Sequence, residues 1–345
     1  MQLYINSYGT YVHVKDQMFE ILVKEKDGRK KHYFSAKKIQ SIILAEHTAL
    51  SAAAVKLAVT HNIDIVFTEK NGQPIGRVWH SKLGSTSKIR KAQLQASLNA
   101  EGLKAVKEWI GVKMENEFEF LKKLKKHRKQ HHDFLQDKIE RIEKLSISLS
   151  EIDAPDVASA AERIRGLEGT SGRLFFESLS KVLPKEHQFK GRSFRPAKDP
   201  FNAFLNYAFG ILYSKIEKSL IIAGLDPYLG YLHRDDYNQL SFVFDFIEPY
   251  RIYATEVVFK LFSGKKVNQS HADEITNGLT LNKSGKELLV EAYNQFTDAD
   301  TIRYKGRNQT RNNAIQADAH TYANSLIKKS EGDAAVKDID KMFDL

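Results

Sequence analysis

The 345-residue chain contains no cysteine and no apolar run of about eighteen residues, the length that a membrane-spanning helix needs. The lack of cysteine excludes disulfide bonds, thiolate zinc sites and cysteine nucleophiles. We therefore expect any metal to be held by oxygen and imidazole, which suits Mg²⁺ or Mn²⁺. The start, MQLYINSYGTYVHV, lacks a basic segment followed by an apolar one. We expect no signal peptide, no membrane association and a cytoplasmic protein.

The positive charge is concentrated in one region. The formal net charge is +10, and residues 81–150 contain sixteen Lys or Arg against nine Asp or Glu. The excess peaks in a basic stripe, defined as Lys122, Lys123, Lys125, Lys126, Arg128 and Lys129. Such a stripe attracts a polyanion through counterion release, and nucleic acid is the commonest partner. A solvated helix face is an equally good interpretation.

Two hydrophobic patterns divide the chain, which is long enough for two domains. In residues 1–80, QLYIN, YVHV and MFEILVKE alternate as strands do, Asp27-Gly28 is a hairpin turn signal, and Ser51 can cap a short helix. From residue 89 onward, apolar residues recur at helical spacing. This predicts an α+β protein. A small β-rich N-terminal domain (1–80) and a linker (81–88) precede a larger all-helical domain (89–328) and a tail of unknown role (329–345).

Acidic side chains and one histidine interrupt the apolar pattern of the helical part. Glu168 falls on the inward stripe of a helix predicted over residues 157–183, and His233 follows the turn GLDPYLG. Asp245 and Glu248 are about one helical turn apart, so both could approach a single ion. Carboxylates cost several kcal/mol to bury without a positive partner. Together these residues predict a divalent metal site, although a salt-bridged side chain is the alternative for Glu168 alone.

A basic, proline-containing loop, KGRSFRPAKDP, precedes the next predicted helix. Arg192 and Arg195 in this loop could grip phosphate, because a guanidinium group matches phosphate oxygens bidentately. We therefore take both arginines, together with the basic stripe, as candidates for DNA binding.

Four of these segments resemble the CRISPR adaptation integrase, the first-numbered of the CRISPR-associated proteins. They are GLEGTSGRLFF around Glu168, FRPAKDPFNAFLNYAFGILY, GLDPYLGYLH ending at His233, and SFVFDFIEPYR with Asp245 and Glu248. Their order and spacing agree with the family, and the resemblance covers about residues 1–328. Ser171-Gly172 and Phe246-Ile247 depart from the residues common in the family, and neither pair falls on a ligand position.

The resemblance implies a homodimer that is held largely by the β-rich domain, with an all-helical catalytic domain in each chain. It implies Glu168, His233 and Glu248 as ligands of Mg²⁺ or Mn²⁺, with Asp245 as an adjacent catalytic acid. The partners that it implies are spacer-precursor DNA, the CRISPR repeat and a small ferredoxin-like protein, the second-numbered of the CRISPR-associated proteins.

The implied reaction is metal-dependent phosphodiester chemistry. A DNA 3′-hydroxyl as the nucleophile gives strand joining by transesterification, whereas water gives nicking. Three alternatives stay open on sequence alone. They are a metal-dependent nuclease for branched DNA or RNA that does not integrate, a non-catalytic nucleic-acid scaffold, and the transposon-borne integrase of the same family.

Overall fold

The computed structural model describes residues 2–25, 28–39, 41–61, 63–69, 74–78, 86–233 and 239–332. The chain divides into two compact units, Met1–Gly84 and Ser85–Leu345. Of the predicted linker, residues 81–85 lie outside the described ranges. Residues 86–88 are not linker but the first turn of a helix. No helix within the described ranges is both long enough and apolar enough to cross a membrane.

The N-terminal unit is built from two four-stranded sheets and one helix. The elements are β1 Gln2–Ile5, β2 Tyr11–Lys15, β3 Met18–Glu25, β4 Gly28–Ser35, β5 Ser41–Ala45, β6 Ala49–Leu50, α1 Ala52–Thr60, β7 Asp64–Thr68 and β8 Pro74–Val78. One sheet has the order β1-β5-β7-β8, with its first three strands parallel, and the other has the order β4-β3-β2-β6. Both sheets contribute apolar side chains to one core.

Local signals in the sequence account for this unit. Alternation along β2 and β3 places Val12, Phe19 and Ile21 in the core. β3 and β4 pair antiparallel from Met18 opposite Ser35 onward, as the predicted hairpin requires. The predicted turn residue Asp27 lies outside the described residues. The predicted cap of α1 is confirmed, because the Ala54 backbone N–H donates to Ser51 Oγ at 3.1 Å.

The second unit is mainly helical and has its own extensive apolar core. Its helices are α2 Thr86–Ser97, α3 Ala100–His127, α4 His132–Ser150, α5 Val157–Val182, α6 Pro200–Ile222, α7 Ser241–Phe246, α8 Arg251–Ser263, α9 Lys283–Asn294 and α10 Arg311–Gly332. A 3₁₀ turn, Glu248–Tyr250, joins α7 to α8. The predicted fold class, a β-rich N-terminal part before a larger helical part, is confirmed.

Two details of the second unit differ from the prediction. It is not all-helical, because it also contains the hairpins β9 Ala272–Ile275 with β10 Gly278–Leu281 and β11 Thr301–Tyr304 with β12 Arg307–Thr310. Helix α10 continues through residues 329–332, which were assigned to the tail. Residues 333–345 of that tail lie outside the described ranges.

Helix α6 ends at Ile222, and Gly224 lies in the turn that follows, before the segment that leads to His233. Gly224 has a φ of +83°, a conformation that side-chain-bearing residues rarely adopt. A Cβ at this position would also lie 2.9 Å from Ile89 Cδ1. The Leu225 N–H donates back to the Leu220 carbonyl at 3.0 Å, so the helix terminates in a closed turn. The segment that follows leads to His233.

Candidate active site

Two of the predicted ligands, Glu168 and Glu248, meet at one ammonium group. Lys113 Nζ, from α3, donates a hydrogen bond to Glu168 Oε1 on α5. The same nitrogen lies 2.6 Å from Glu248 Oε2, in the 3₁₀ turn, as an ion pair without hydrogen-bond geometry. The side chain of Glu248 is 2% exposed, that of Lys113 10% and that of Glu168 28%. Three separate elements therefore place their charges at one point.

Glu248 is held as a carboxylate by two cations. Arg251 Nε donates to Glu248 Oε1 at 2.7 Å, and Lys113 approaches the other oxygen. Burial alone would raise the pKa of Glu248, but the charges of Arg251 and Lys113 outweigh burial and lower the pKa to about 2. Glu248 is therefore ionised at neutral pH.

Asp245 has different partners from Glu248. Its two oxygens accept the backbone N–H groups of Tyr231, Leu232 and His233, and Oδ1 also lies 2.6 Å from His233 Nδ1. Asp245 and Glu248, which were predicted to be able to approach one ion, thus have separate hydrogen-bond partners. Asp245 lies in the last turn of α7, whereas Glu248 lies in the 3₁₀ turn that follows. Asp245 instead orients the imidazole.

The pairing with Asp245 determines which nitrogen His233 can use. Because Nδ1 faces the carboxylate, Nε2 carries the lone pair of the neutral ring. Burial would lower the pKa of His233, but Asp245 chiefly, and Glu248 to a smaller extent, outweigh burial and raise it. The imidazole therefore lies within electrostatic reach of Glu248.

The predicted ligands have the chemistry of a divalent-cation site. Carboxylate oxygen and imidazole nitrogen suit Mg²⁺ or Mn²⁺. Glu168 and Glu248 already face one positive group, and Glu248 Oε2 is buried without a hydrogen-bond donor in the described part of the chain. Within the described ranges, however, no three His, Asp or Glu side chains stand close enough together to hold an ion. Of the three predicted ligands, Glu168 and Glu248 share a contact with Lys113, whereas His233 pairs with Asp245.

A cavity of about 970 Å³ adjoins the two carboxylates and is lined by Lys113, Glu168, Glu248, Arg251 and Arg192, among others. His233 is absent from the described lining. Aromatic rings occupy much of the remaining wall, including Phe176, Phe194 and Phe209. Cations and aromatic faces together suit a nucleotide, because its phosphate is anionic and its base stacks on rings.

The two loop arginines differ in their surroundings. Arg192 donates to the side-chain oxygens of Asn202 and Asn206 and lies over the Phe176 and Phe209 rings. Partial burial and the nearby charge of Arg251 lower the pKa of Arg192 to about 10, so it stays charged. Arg195 is exposed and lies over the Phe194 ring, 5.2 Å from its centroid. Both arginines are exposed, and of the two only Arg192 is in the described lining of the cavity.

The basic stripe lies at the C-terminal end of α3 and in the turn that follows. Lys122 is neutralised in part by Glu119, at 3.0 Å, and by Glu143, at 2.8 Å. Lys125 donates to the Gln136 side-chain oxygen. The more exposed members are Lys123, Lys126 and Lys129. The stripe contributes no residue to the described lining of the cavity.

Three charged residues that line the cavity were not predicted from the sequence: Lys113, Glu117 and Arg251. Glu117 is buried, lines the cavity and accepts a hydrogen bond from Ser171 Oγ. Burial raises the pKa of Glu117 to about 7, against the opposing effect of Lys113. A signal was present, because Lys113 and Glu117 are four residues apart and interrupt the buried stripe of α3.

Known proteins share the family and the fold of this chain. The family described as "CRISPR associated protein Cas1" matches residues 3–295. Over 319 residues the chain is 30% identical to CRISPR-associated endonuclease Cas1 1 of Archaeoglobus fulgidus, covering 89% of this chain and 91% of the relative.

Solved structures with a similar fold each cover 95% of this chain. A casposase bound to integration product has a TM-score of 0.77 at 21% identity, with 91% of its chain covered. A Cas1 protein from Thermotoga maritima has a TM-score of 0.75 at 21% identity, with 97% covered. A Cas6-RT-Cas1–Cas2 complex has a TM-score of 0.74 at 20% identity, with 35% of that chain covered.

The fold and the site define a class of two-unit proteins in which a helical unit carries a carboxylate-and-cation pocket. Within that class, the chain belongs to the Cas1 family, since the family match spans most of its length. The resemblance seen in the sequence motifs is therefore confirmed.

Proposed function

We propose that this protein is a metal-dependent DNA endonuclease and integrase of CRISPR adaptation. It joins the 3′-hydroxyl ends of short spacer-precursor DNA to the CRISPR repeat by transesterification. Family membership supports this proposal, as do the relative named an endonuclease and the casposase described with an integration product. The observation that carries it is the convergence of Glu168 and Glu248 on one cationic position at the cavity wall.

In this proposal Glu168 and Glu248 hold Mg²⁺ or Mn²⁺, and His233 supplies Nε2 as the third ligand. When bound, the ion would withdraw charge from a DNA phosphate and favour ionisation of the attacking hydroxyl. Asp245 keeps His233 in the tautomer that leaves Nε2 with a lone pair. Arg251 keeps Glu248 ionised while facing the cavity where the DNA phosphate would lie.

The choice between joining and nicking depends on the nucleophile. The proposed metal site does not distinguish water from a 3′-hydroxyl as the nucleophile. Strand joining therefore requires that a bound DNA end occupy the attacking position and exclude water from it. Arg192 and the aromatic wall of the cavity are suited to this task, because they offer a charged contact and stacking surfaces side by side. Arg195 and the basic stripe would bind DNA farther from the reacting phosphate.

The partners in this proposal are DNA, a second copy of this chain and a Cas2 protein. Cas2 is supported by the similar fold found in a structure described as a Cas6-RT-Cas1–Cas2 complex. The β-rich unit is the proposed dimer surface, and exposed tyrosines on it, including Tyr8 and Tyr33, suit a protein interface.

The activity is tested by incubating a short duplex with free 3′ ends and a supercoiled plasmid carrying a CRISPR repeat. With Mg²⁺ or Mn²⁺ present we expect joined products, and with EDTA none. Glu168→Gln should reduce joining at least about 100-fold, because it removes one charged ligand. Glu162→Gln is the matched control, since Glu162 lies on the same helix but is exposed.

Other outcomes identify the alternatives. Metal-dependent nicking without joined products would favour a nuclease that does not integrate. Joining of transposon ends in preference to spacer-like duplexes would favour the transposon-borne integrase. Full function with EDTA, or in Glu168→Gln, would contradict the metal-dependent mechanism and favour a scaffold.

A further inference from the structure

The two carboxylates proposed as metal ligands share one lysine. Lys113 donates to Glu168 and lies 2.6 Å from Glu248 Oε2. Its side chain is 10% exposed, so few water molecules screen these charges. Lys113 thus stands in the position that would bridge Glu168 and Glu248.

Lys113 is a fixed cation at this position. Its ammonium group is in contact with the carboxylates of Glu168 and Glu248. Without that charge, Glu168 and Glu248 would repel each other across a partly buried site, where like charges interact strongly. Arg251 pairs with the other oxygen of Glu248 and does not reach Glu168 by any contact among the described residues. The link between the two carboxylates is therefore made by Lys113.

We infer that Lys113 is a positioning residue that holds Glu168 and Glu248 side by side and competes with a divalent cation for them. This inference rests on the ligand assignment in the proposed function. An ammonium group and a divalent cation cannot share the same oxygens without strong repulsion. The lysine stem is flexible and lines the adjoining cavity, so the ammonium group has space into which it can withdraw.

Binding of Mn²⁺ to the full chain, measured by isothermal titration calorimetry, tests this competition. Lys113→Met keeps the length of the side chain and removes its charge. We expect the Mn²⁺ dissociation constant to fall about tenfold or more, because the ion no longer displaces a cation. In EDTA the variant should melt at a lower temperature than wild type, and Mn²⁺ should raise its melting temperature by a larger increment. An unchanged or weaker Mn²⁺ affinity in a folded Lys113→Met protein would overturn the inference.

Three further variants keep the test decisive. Lys104→Met is the matched control, because Lys104 lies exposed on the same helix and should leave Mn²⁺ binding unchanged. If Lys113→Met does not fold, Lys113→Gln replaces it, with the same expected tightening. Lys113→Arg keeps the charge and should bind Mn²⁺ no more tightly than wild type; tighter binding would contradict competition by charge.

The outcome also separates this inference from the proposed function. If wild type binds Mn²⁺ and Glu168→Gln weakens that binding while Lys113→Met leaves it unchanged, only the competition is refuted. If neither wild type nor Lys113→Met binds Mn²⁺, or if Glu168→Gln binds it as wild type does, the ligand assignment and the competition both fail.

Discussion

The carboxylate of Asp245 accepts hydrogen bonds from the segment that contains His233. It is buried and accepts hydrogen bonds from three consecutive backbone N–H groups, Tyr231 to His233, while also contacting the imidazole. A carboxylate with this many donors stabilises a loop that has no regular hydrogen-bonding partner of its own. At the residue scale, Asp245 is therefore a positioning residue for His233.

Asp245→Asn tests that role. An amide has one acceptor oxygen, whereas the carboxylate has two. In the variant an NH₂ group would replace one of these oxygens and would face a backbone N–H, with which it cannot form a hydrogen bond. We expect the free energy of unfolding to fall by about 2–3 kcal/mol, measured by urea denaturation of the full chain. Asp153→Asn, in the exposed loop before α5, is the control and should change it by less than about 0.5 kcal/mol. Equal stability of the two variants would show that Asp245 does not hold the loop.

At the scale of single elements, α3 carries two separate groups of charged residues. Lys113 faces Glu168 and Glu248, and the basic stripe begins nine residues later at Lys122. At 1.5 Å per residue this separation is about 14 Å along the helix axis. One helix therefore fixes the distance between Lys113, which contacts the two carboxylates, and the basic stripe.

Charge reversal within α3 tests the stripe. Lys123→Glu with Lys126→Glu should weaken DNA binding about uniformly across sequences, because phosphate contacts carry no sequence information. The slope of log K against log salt should fall by about 2, as two phosphate contacts are lost. Filter binding or fluorescence anisotropy over a salt series measures both quantities. Lys104→Glu reverses a single exposed charge outside the stripe and should have less than half of this effect. An unchanged affinity at low and high salt would remove the stripe from the DNA surface.

At the scale of the whole molecule, the proposed dimer predicts a simple result. Light scattering should give about twice the chain mass of 39.4 kDa for the full chain. The physical reason is the exposed aromatic surface of the β-rich unit, where Tyr8 is 73% and Tyr33 45% exposed. A monomer mass at micromolar concentration would contradict the dimer without bearing on the carboxylate site.

Much of the fold was predictable, because its signals are local. Helices α5 and α6 begin after Asp156 and Asp199, whose carboxylates each accept a backbone N–H of the first turn, at 2.8 Å. The short hairpins of residues 272–281 and 301–310 were not predicted. Their strands have four residues each, and segments such as ADEI and RNQT show too little alternation to indicate a strand.

The candidate site was predictable only in part. Glu168 and Glu248 stand out because carboxylates in apolar segments are costly. Lys113 does not stand out in the same way, since lysine is common on amphipathic helices and covers apolar surface with its stem. Lys113 contacts both carboxylates only because α5 and the 3₁₀ turn of residues 248–250 pack next to it.

The sequence by itself determined which ligand chemistry is available and where most of the longer helices and the N-terminal strands lie. Both follow from composition and from hydrophobic spacing within a few residues. Only the tertiary structure decided that Lys113 meets Glu168, 55 residues away, and Glu248, and that Asp245 turns to His233 instead. Those pairings depend on how distant helices pack against one another, which no short window of sequence encodes.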